Sequence, residues 1–464
     1  MDLWANSKRS ARPREYLNLA LTRALAPATI HRGSFDRIVV RRRDFLQIAG
    51  VTATVGFATG CAVRSNAVSG TSSPPTPSSA ASASPGHVSL NLAVPRISWE
   101  RVIRTTVGLR PHRDSGFVLK PEKFGEKLVI HDYGFGGAGM SLAWGSGAIA
   151  AEMALEHNER KAAVLGCGSA GLTAARQLQR RGFEVTVYAM TVPPDTTSNM
   201  SYAGFTPTTA LIANEQRTPA WDVQFRRAAE ISYRQLQLLA GAPGWGVYWI
   251  DSFNATDELN EQRPSEREDD LLPESMRPER DREVFGPGEH PFPTRYAVRT
   301  SSLAIEPSIY LDKLVADFLL FGGKIVIRKF DTPRDLTSIP EFLVVNCTGL
   351  GSKTLFNDTE LVPIKGQLTL CIPQPEVKYR AFGRLRNSAV AASISPRSDG
   401  IVVGNMMERD NWSLDPNPDV RQQNMDAAIQ FFAVMRARSG RVAPLDRTGQ
   451  PAPRSQPFAY VRPA

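Results

Sequence analysis

A glycine-rich loop between two short apolar stretches most constrains how this chain can fold. Residues 162–165 are apolar and predict a buried strand, and the motif Gly166-x-Gly168-x-x-Gly171 follows at once. A helical pattern over residues 172–181 and an alternating strand pattern over residues 183–188 come next. This order is typical of a dinucleotide-binding unit, in which glycines let a pyrophosphate approach the backbone and a helix N-terminus supplies amide donors. The chain is therefore predicted to have an α/β fold with a Rossmann-type domain.

The motif lacks one element that dinucleotide-binding units usually have. An acidic residue at the end of the second strand usually binds the ribose hydroxyls, but Ala189 and Met190 occupy that position. We therefore expect the ribose to be held otherwise or the cofactor to bind more weakly. The predicted cofactor contacts of the loop are Gly166, Gly168, Ser169, Ala170 and Gly171.

The positive charge of the chain is concentrated at its start. The formal net charge is +9, and the first 60 residues hold ten Lys or Arg and four Asp or Glu. Because the remainder is near neutral, a nucleic-acid partner is not expected. The four cysteines form no Cys-x-x-Cys pair and no His cluster accompanies them, so no metal site is predicted. A length of 464 residues allows two or three domains.

An export signal is predicted over residues 1–61. The run Arg41-Arg42-Arg43-Asp44-Phe45-Leu46 is similar to a twin-arginine signal, and the apolar stretch after it is too short to span a bilayer comfortably. Ala58-Thr59-Gly60-Cys61 is similar to a lipobox, with Cys61 as the lipid acceptor. We therefore expect an exported periplasmic or cell-surface lipoprotein. Cleavage elsewhere without a lipid, or a basic helix followed by a buried helix, are the alternatives.

Three further stretches are predicted to have little regular structure. Residues 62–96 are rich in Ser, Ala, Thr and Pro and cannot bury enough apolar surface to offset the entropy of ordering, so they predict a disordered tether. Residues 443–464 are proline-rich and predict a loose tail. The charged stretch 258–289 is either a lid or a solvated loop, and its composition favours the loop.

Several segments resemble the D-amino acid oxidase family in that family's usual order. Thr196-Thr197-Ser198-Asn199, followed by Ala203-Gly204, resembles the loop that covers the flavin phosphates. Residues 344–349 resemble the strand and turn that close the cofactor site, and residues 363–367 and 396–404 resemble strands of the substrate domain. The resemblance implies bound FAD in a Rossmann-type domain and a second, α+β substrate domain with a mixed sheet.

Two further segments of the resemblance are out of order. Residues 108–113 and 131–145 resemble segments of that family's C-terminus, but here they precede the glycine-rich loop. The chain therefore resembles a circularly permuted family member. Under this hypothesis residues 97–160 are the permuted segment, residues 161–442 hold the interleaved FAD-binding and substrate domains, and the new termini open near residues 98 and 440.

The resemblance also implies roles for single residues. Arg110 would bind the substrate carboxylate through two parallel hydrogen bonds, and the Gly137 carbonyl would receive the substrate amine. Alternatively, Arg110 is a surface arginine, and the glycine turn of Gly137 is needed only for helix packing. His131 and Tyr133 are expected to be structural. The remaining predicted cofactor contacts are Gly136, Gly139, Met140, Ser141, Thr196, Thr197, Ser198, Ala203, Gly204, Phe330, Thr348 and Gly349.

The substrate site departs from the family pattern. The family offers one or two tyrosines on the strand before Pro396, but residues 389–395 contain none, and Ser393 is the predicted replacement. Residues 200–202 carry a one-residue insertion. Its Tyr202 either reaches into the site or, as we favour, packs at the surface.

The resemblance implies FAD-dependent oxidative deamination of a D-amino acid to a 2-oxo acid, ammonia and hydrogen peroxide. A flavin-dependent dehydrogenase with another substrate or electron acceptor is an alternative that the missing tyrosines favour. A non-catalytic binding protein of the same fold is another, favoured by the missing ribose acid. The expected partners are a small D-amino acid or amine, the membrane through Cys61, and a second copy in a homodimer.

Overall fold

The computed structural model describes residues 90–259, 271–277, 281–404 and 406–435. All of them belong to one compact unit, His87–Ala464. The predicted signal, its lipid site, most of the tether and the C-terminal tail lie outside the described residues. Within the described part of the chain, every helix is too short or too polar to cross a membrane.

The described residues form fifteen strands and six α-helices. The strands are β1 (Val102–His112), β2 (Val118–Phe124), β3 (Lys127–Tyr133), β4 (Lys161–Leu165), β5 (Glu184–Ala189), β6 (Val247–Thr256), β7 (Glu283–Phe285), β8 (Tyr296–Ile305), β9 (Lys324–Ile327), β10 (Leu343–Asn346), β11 (Val362–Cys371), β12 (Tyr379–Gly383), β13 (Ala392–Arg397), β14 (Gly400–Val403) and β15 (Glu408–Arg409). The helices are α1 (Gly139–Leu155), α2 (Ser169–Arg180), α3 (Pro219–Ala240), α4 (Pro307–Leu320), α5 (Ser352–Leu355) and α6 (Pro418–Ala433).

The smaller sheet carries the glycine-rich loop. Its strand order is β2-β3-β10-β4-β5-β9, with β2 antiparallel to β3 and the other neighbours parallel. The predicted strand–helix–strand unit is confirmed as β4, α2 and β5. Because parallel strands end at the same edge of a sheet, the turns after β3, β10, β4 and β5 converge there. We call this the cofactor edge.

Helix α1 packs between α2 and α3, and its small residues allow this. A Cβ on Gly145 would fall on the Ala228 backbone of α3, and one on Gly147 would lie 2.8 Å from the Ala174 amide nitrogen of α2. Such close approach of backbones requires glycine. Because α1 follows β3 and α2 follows β4, the contact holds both helix N-termini at the cofactor edge.

The larger sheet has the order β1-β11-β14-β13-β12-β6-β8-β7, and β15 pairs with β11. One face packs on α6, where Phe431 and Phe432 share a core with Tyr379 and Ile394. The helix begins after Asn417, whose side chain accepts hydrogen bonds from first-turn amides. The opposite face contacts the loops of the cofactor edge. We call it the substrate face.

The expectation of a solvated loop over residues 258–289 is wrong for two described parts of that stretch, whereas residues 281, 282, 287 and 288 are exposed. Leu271, Leu272 and Met276 are buried in the main core cluster. Residues 283–285 form β7, which pairs with β8 at the edge of the larger sheet. The apolar residues that anchor the stretch are few among many charges, so composition alone underestimates their effect.

The two ends of the described unit meet. The Tyr379 hydroxyl donates a hydrogen bond to the Ala93 carbonyl at 2.8 Å and contacts Met435 Sδ at 3.7 Å. Nearby, the Arg421 guanidinium of α6 lies over the Trp99 ring, 5.4 Å from its centroid. Both ends of the described region therefore lie against the same tyrosine.

Candidate cofactor and substrate site

The glycine-rich loop is tightly packed against the turn after β10. Gly166 has a φ of 105°, and a Cβ there would lie 2.5 Å from the Cys347 carbonyl oxygen. A Cβ on Gly171 would fall on the Gly166 carbonyl. Side chains at these two positions would force the turns apart, so glycine is required at both. Gly168 then takes extended backbone angles and precedes α2.

Unpaired polar groups gather where α2 begins. Ser169 and Ala170 are the first two residues of the helix, whose amides have no intrahelical acceptor. The Ser169 amide donates to Ser198 Oγ at 3.0 Å, whereas Ser169 Oγ and Asn199 Nδ2 are buried without a hydrogen-bond partner in the described part of the chain. Thr196 Oγ1 donates to Asn199 Oδ1 at 2.7 Å and so orients that amide. Donors at a helix N-terminus fit a pyrophosphate.

The turn after β10 faces the larger sheet. Thr348 Oγ1 donates a hydrogen bond to Asn346 Oδ1 at 2.8 Å, which fixes the turn. Gly349 has a φ of 57°, and a Cβ there would meet the Pro111 ring of β1 at 3.6 Å. Thr348 and Gly349 therefore lie between the glycine-rich loop and β1, as the resemblance implies.

The turn before α1 is held by bonds within the protein. The Gly136 amide donates to the Pro111 carbonyl at 2.7 Å, and the Gly137 amide donates to the Thr209 carbonyl at 3.0 Å. These two amides are therefore engaged by backbone carbonyls, so Gly136, one of the predicted cofactor contacts, has no free amide for a flavin. Gly139 and Met140, as the first two residues of α1, keep amides without intrahelical acceptors.

The Ser141 side chain has a structural role. Its hydroxyl donates to the Gly204 carbonyl at 2.9 Å and accepts from the Thr206 amide at 2.8 Å. Both bonds join α1 to the loop that carries Ala203 and Gly204. Ser141 thus fixes two predicted cofactor contacts in place, rather than presenting its own hydroxyl to a ligand.

Arg110 lies on β1, where the larger sheet meets the loops of the cofactor edge. Next to it, a Cβ on Gly108 would be 3.0 Å from the Met200 Cβ, so β1 runs against the short helical turn Thr197–Met200. On the other side, Pro111 contacts Gly349 and accepts the Gly136 amide bond. Arg110 is therefore flanked by the loops of the cofactor edge. The exposed Thr197 side chain takes no part in this contact.

The Arg110 guanidinium is a partly buried cation without a carboxylate partner. It lies on Gly366 of β11, where a Cβ would be 2.6 Å from Nη1. Its hydrogen bond within the described part of the chain is from Nη1 to the Met406 carbonyl at 3.4 Å, and no ion pair with a described acid forms. Burial lowers the pKa of this guanidinium from its ordinary value. An incoming carboxylate would satisfy both the charge and the unpaired N–H groups.

Ser393 and Tyr202 lie on the substrate face. Pairing of β1 with β11, β11 with β14, and β14 with β13 places Ser393 on the same face as Arg110. Ser393 is buried, and its carbonyl accepts the Gly404 amide bond. The Tyr202 hydroxyl donates to the Ile394 carbonyl at 3.2 Å. Tyr202 is therefore packed on the substrate sheet, so the favoured surface position is wrong.

A network of charged side chains around Asp114, near Arg110, was not predicted. Arg409 of β15 donates to both Asp114 oxygens, at 3.0 and 2.6 Å, and His112 Nε2 lies 3.0 Å from Asp114 Oδ1. The bonds from Arg409 and His112 lower the pKa of Asp114. His112 Nδ1 in turn contacts the Ala210 carbonyl at 2.9 Å. No local sequence pattern marks this network, since Arg409 comes from a distant part of the chain.

At the other end of the site, Phe330 follows β9. Its ring meets the Tyr188 ring edge-on with centroids 5.8 Å apart, and the Arg328 guanidinium lies over it at 4.8 Å. β9 pairs with β5, so Phe330 lies beyond the strand end where a ribose acid would stand. Met190, in that position, is 66% exposed. The aromatic ring thus lies beyond the paired ends of β5 and β9, and its contact with a cofactor stays a prediction.

Comparison with known proteins decides the family. The profile of the family described as FAD dependent oxidoreductase matches residues 161–457. The chain belongs to this family. The match begins at the first residue of β4, so residues 98–160 lie before it.

The chain is also similar to two curated relatives. It is 28% identical over 265 residues to D-amino acid oxidase of Dugesia ryukyuensis, covering 55% of this chain and 72% of the relative. It is 29% identical over 258 residues to D-amino-acid oxidase of Rubrobacter xylanophilus, covering 56% and 73%. Among solved structures, glycine oxidase from Geobacillus kaustophilus has a TM-score of 0.43 at 14% identity, over 59% of this chain and 78% of that one.

FAD is the cofactor of this family, and the described residues fit it. The unpaired Ser169 and Asn199 groups lie near the start of α2, where the dinucleotide-binding motif takes its pyrophosphate, and Gly166 and Gly171 place no side chain there. The amides of Gly139 and Met140 supply a second helix N-terminus. His131 and Tyr133 bond instead to Asn346 and Asp358, consistent with structural roles.

A buried acid lies beneath the cofactor edge of this oxidoreductase. Asp132 on β3 is fully buried, Oδ1 has no partner in the described part of the chain, and Cys347 Sγ lies 3.9 Å from Oδ2. Burial raises the pKa of Asp132 to about 7. Burial also raises the pKa of the Cys347 thiol. The pair is thus neutral below pH 7, and ionisation of the acid works against folding.

We predict that Asp132→Asn removes a pH-dependent loss of stability. Because the folded pKa of about 7 lies above the ordinary value of 3.8, the contribution of the neutral acid is complete below pH 4 and is lost as the pH rises through 7. At pH 8 the variant should have a free energy of unfolding roughly 2–4 kcal/mol higher than that of the parent. At pH 4 the two proteins should be equally stable. Urea unfolding at both pH values is the measurement.

Asp335→Asn is a control in which the pH dependence of stability has the opposite sign. Hydrogen bonds from the Thr332 and Asp331 amides lower the pKa of this exposed carboxylate. Its contribution to stability is therefore present above its unfolded pKa and is lost as the pH falls. Parallel pH profiles for the parent and Asp132→Asn would contradict the role assigned to burial.

Proposed function

We propose that this protein oxidises a D-amino acid to a 2-oxo acid, with release of ammonia and hydrogen peroxide. The observation that carries the proposal is Arg110, a partly buried cation on the substrate face that lacks a carboxylate partner in the described part of the chain. The relatives named D-amino acid oxidase support the same substrate class. When bound, FAD supplies the two-electron acceptor for the oxidation.

The overall reaction balances without a further reductant. The substrate Cα loses hydride and its amine loses a proton, giving an imino acid. Water hydrolyses the imino acid to the 2-oxo acid and ammonia, and oxygen takes up the two electrons and two protons as hydrogen peroxide. A substrate whose amine arrives neutral needs little acid–base assistance, so the protein mainly orients it.

Arg110 would provide that orientation. A guanidinium that forks onto a carboxylate fixes both its position and its rotation. Gly366 leaves space for the guanidinium to lie flat on β11, and the Met406 carbonyl restrains one end of it. The Gly137 carbonyl, in the turn that packs on Thr209, is the proposed acceptor for the substrate amine.

A dehydrogenase that passes electrons to another acceptor is the second candidate function. The observation in its favour is that β13 presents Ser393 and Ser395, and no tyrosine, to the substrate face. Reoxidation separates the two: after anaerobic reduction by a D-amino acid, fast recovery of the oxidised flavin spectrum on mixing with oxygen supports the oxidase, and slow recovery supports the dehydrogenase.

We predict that Arg110→Leu lowers kcat/KM for D-amino acids roughly 100- to 1,000-fold, because two charge-assisted hydrogen bonds are lost. FAD should stay bound, since Arg110 contacts none of the groups at the start of α2. Flavin absorbance after purification and anaerobic titration with D-amino acids measure both effects.

Arg104→Leu is the matched control. Arg104 lies on the same strand and face, but it is exposed and paired with Asp399 at 3.0 Å. Its replacement should leave turnover near that of the parent. Full activity in Arg110→Leu would overturn the assignment, and a parent flavin that no D-amino acid reduces would overturn the substrate class.

We also propose that the chain is circularly permuted. The family match starts at β4, yet two strands before it pair with strands inside it. In the smaller sheet β3 pairs with β10, and in the larger sheet β1 pairs with β11 along its whole length. Residues before the match thus supply strands of both sheets. The ends of the described unit meet at Tyr379, as new termini made by permutation would.

We predict that a chain of residues 161–435, joined by a short Gly/Ser linker to residues 90–160, folds and binds FAD as the parent does. The join at Tyr379 spans a short distance, so little strain is added. Flavin stoichiometry and Tm are the measurements. A control opened inside β11 should not fold, and an insoluble or flavin-free 161–435–90–160 protein would contradict the proposal.

We propose, finally, that the protein is exported and anchored at Cys61. The support is the sequence of residues 41–61 alone. Replacing Arg42 and Arg43 with Lys should retain the protein in the cytoplasm of a bacterial host. Cys61→Ser should abolish incorporation of labelled palmitate while leaving export intact; palmitate incorporation by that variant would contradict lipidation at this residue.

A further inference from the structure

Tyr202 stands close to Arg110 on the substrate face. Its ring packs on Leu368, Leu370 and Val402, an apolar cluster separate from the main cores. The Arg110 guanidinium lies on Gly366. Gly366 and Leu368 are two residues apart on β11 and therefore point to the same face, roughly 7 Å from each other. That distance is comparable to the length of a small amino acid.

The backbone on both sides of Tyr202 is clamped to the sheet. Arg397 Nη1 donates to the Ser201 carbonyl at 3.3 Å, and Arg380 Nη2 donates to the Ala203 carbonyl at 2.7 Å. Arg380 is buried and also bonds Ser395 Oγ at 3.0 Å. The backbone that carries Tyr202 therefore cannot shift without breaking charge-assisted hydrogen bonds.

The ring itself is fixed at two points. Its hydroxyl bonds the Ile394 carbonyl of β13, and the Arg380 guanidinium lies over its face, 5.3 Å from the centroid. Leu368, Leu370 and Val402 beneath it are at most 4% exposed. The apolar surface beside the Arg110 site is thus already covered by the protein's own side chain.

We propose that Tyr202 is the wall that limits the size of the substrate side chain, so the protein acts on D-amino acids with small side chains. The inference rests on the proposed function, because Arg110 must hold the carboxylate. On the other side of Arg110, the turn of Gly136 and the turn of Gly349 both pack on Pro111. The side chain of a bound substrate would extend along β11 toward Leu368, where it meets Tyr202 and Met200.

The test compares kcat/KM for D-alanine and D-phenylalanine in the parent and in Tyr202→Ala. The parent should prefer D-alanine at least tenfold, and Tyr202→Ala should shift that ratio at least tenfold toward D-phenylalanine. Tyr202→Phe keeps the ring and should retain the parent's ratio. A parent that oxidises both equally well, or an unchanged ratio in Tyr202→Ala, would overturn the proposal.

Tyr248→Ala is the matched control. Tyr248 also lies on the substrate face and donates to a β13 carbonyl, that of Pro396 at 3.3 Å, but it stands on β6, on the far side of β12. Its replacement should leave the preference unchanged. An equal shift in this variant would show general loosening of the sheet and would also overturn the assignment.

Carboxylate binding without turnover separates this inference from the proposed reaction. Propionate and benzoate are titrated against the FAD-loaded protein, with the flavin absorbance as readout. Propionate should bind the parent, and benzoate should bind Tyr202→Ala at least tenfold more tightly than the parent. If no D-amino acid reduces the flavin but this selectivity appears, the proposed reaction is wrong and the size limit set by Tyr202 is supported. If benzoate binds both proteins equally, the wall is wrong.

Discussion

The contact between the turns after β4 and β10 fixes the geometry of the whole site. The Cys347 amide donates to the Leu165 carbonyl at 2.9 Å, and Gly166 and Gly171 pack with no space for a Cβ. This close packing sets the position at which α2 begins, and with it the unpaired groups that face a pyrophosphate. The same turn, through Gly349, meets Pro111 of β1. Arg110, the proposed carboxylate-binding residue, is therefore positioned relative to the cofactor loop by direct contact of its strand, not through a long linker.

Local patterns could be read from the sequence because their causes are local. The β4–α2–β5 unit depends on apolar periodicity and glycine spacing, and both are visible in one stretch. Arg110 could be placed only through the family resemblance, because nothing near it in the sequence marks a carboxylate site. The bonds of Arg409 to Asp114 and of Arg380 to Ala203 were not predicted, since each joins residues far apart in the chain. Tyr202 was misplaced for the same reason, because its clamps come from β12 and β13.

Composition was a poor guide where a few apolar residues outweigh many charges. In the stretch 258–289, burial of Leu271, Leu272 and Met276 anchors part of a segment that is otherwise polar. Each buried aliphatic side chain contributes on the order of 2 kcal/mol, enough to order a short segment. The chain order of the domains is equally hard to read from composition. What the sheets require is that β1 lie beside β11 and β3 beside β10, and this pairing is the same wherever the chain begins.

One loop serves both halves of the site, and this constrains how its selectivity can change. Ser198 accepts the Ser169 amide bond at the cofactor edge, and Ser201 Oγ donates to the Ser198 carbonyl at 2.7 Å. Two residues after Ser201, Arg380 clamps the Ala203 carbonyl on the substrate face. A backbone shift that widened the substrate space would therefore also move Ser198 away from the helix N-terminus and weaken cofactor binding. Replacement of the Tyr202 side chain avoids this conflict, because the clamps hold carbonyl groups that every residue has. With Tyr202 in its proposed role, the size of the accepted substrate would vary through one side chain while the cofactor site stays intact.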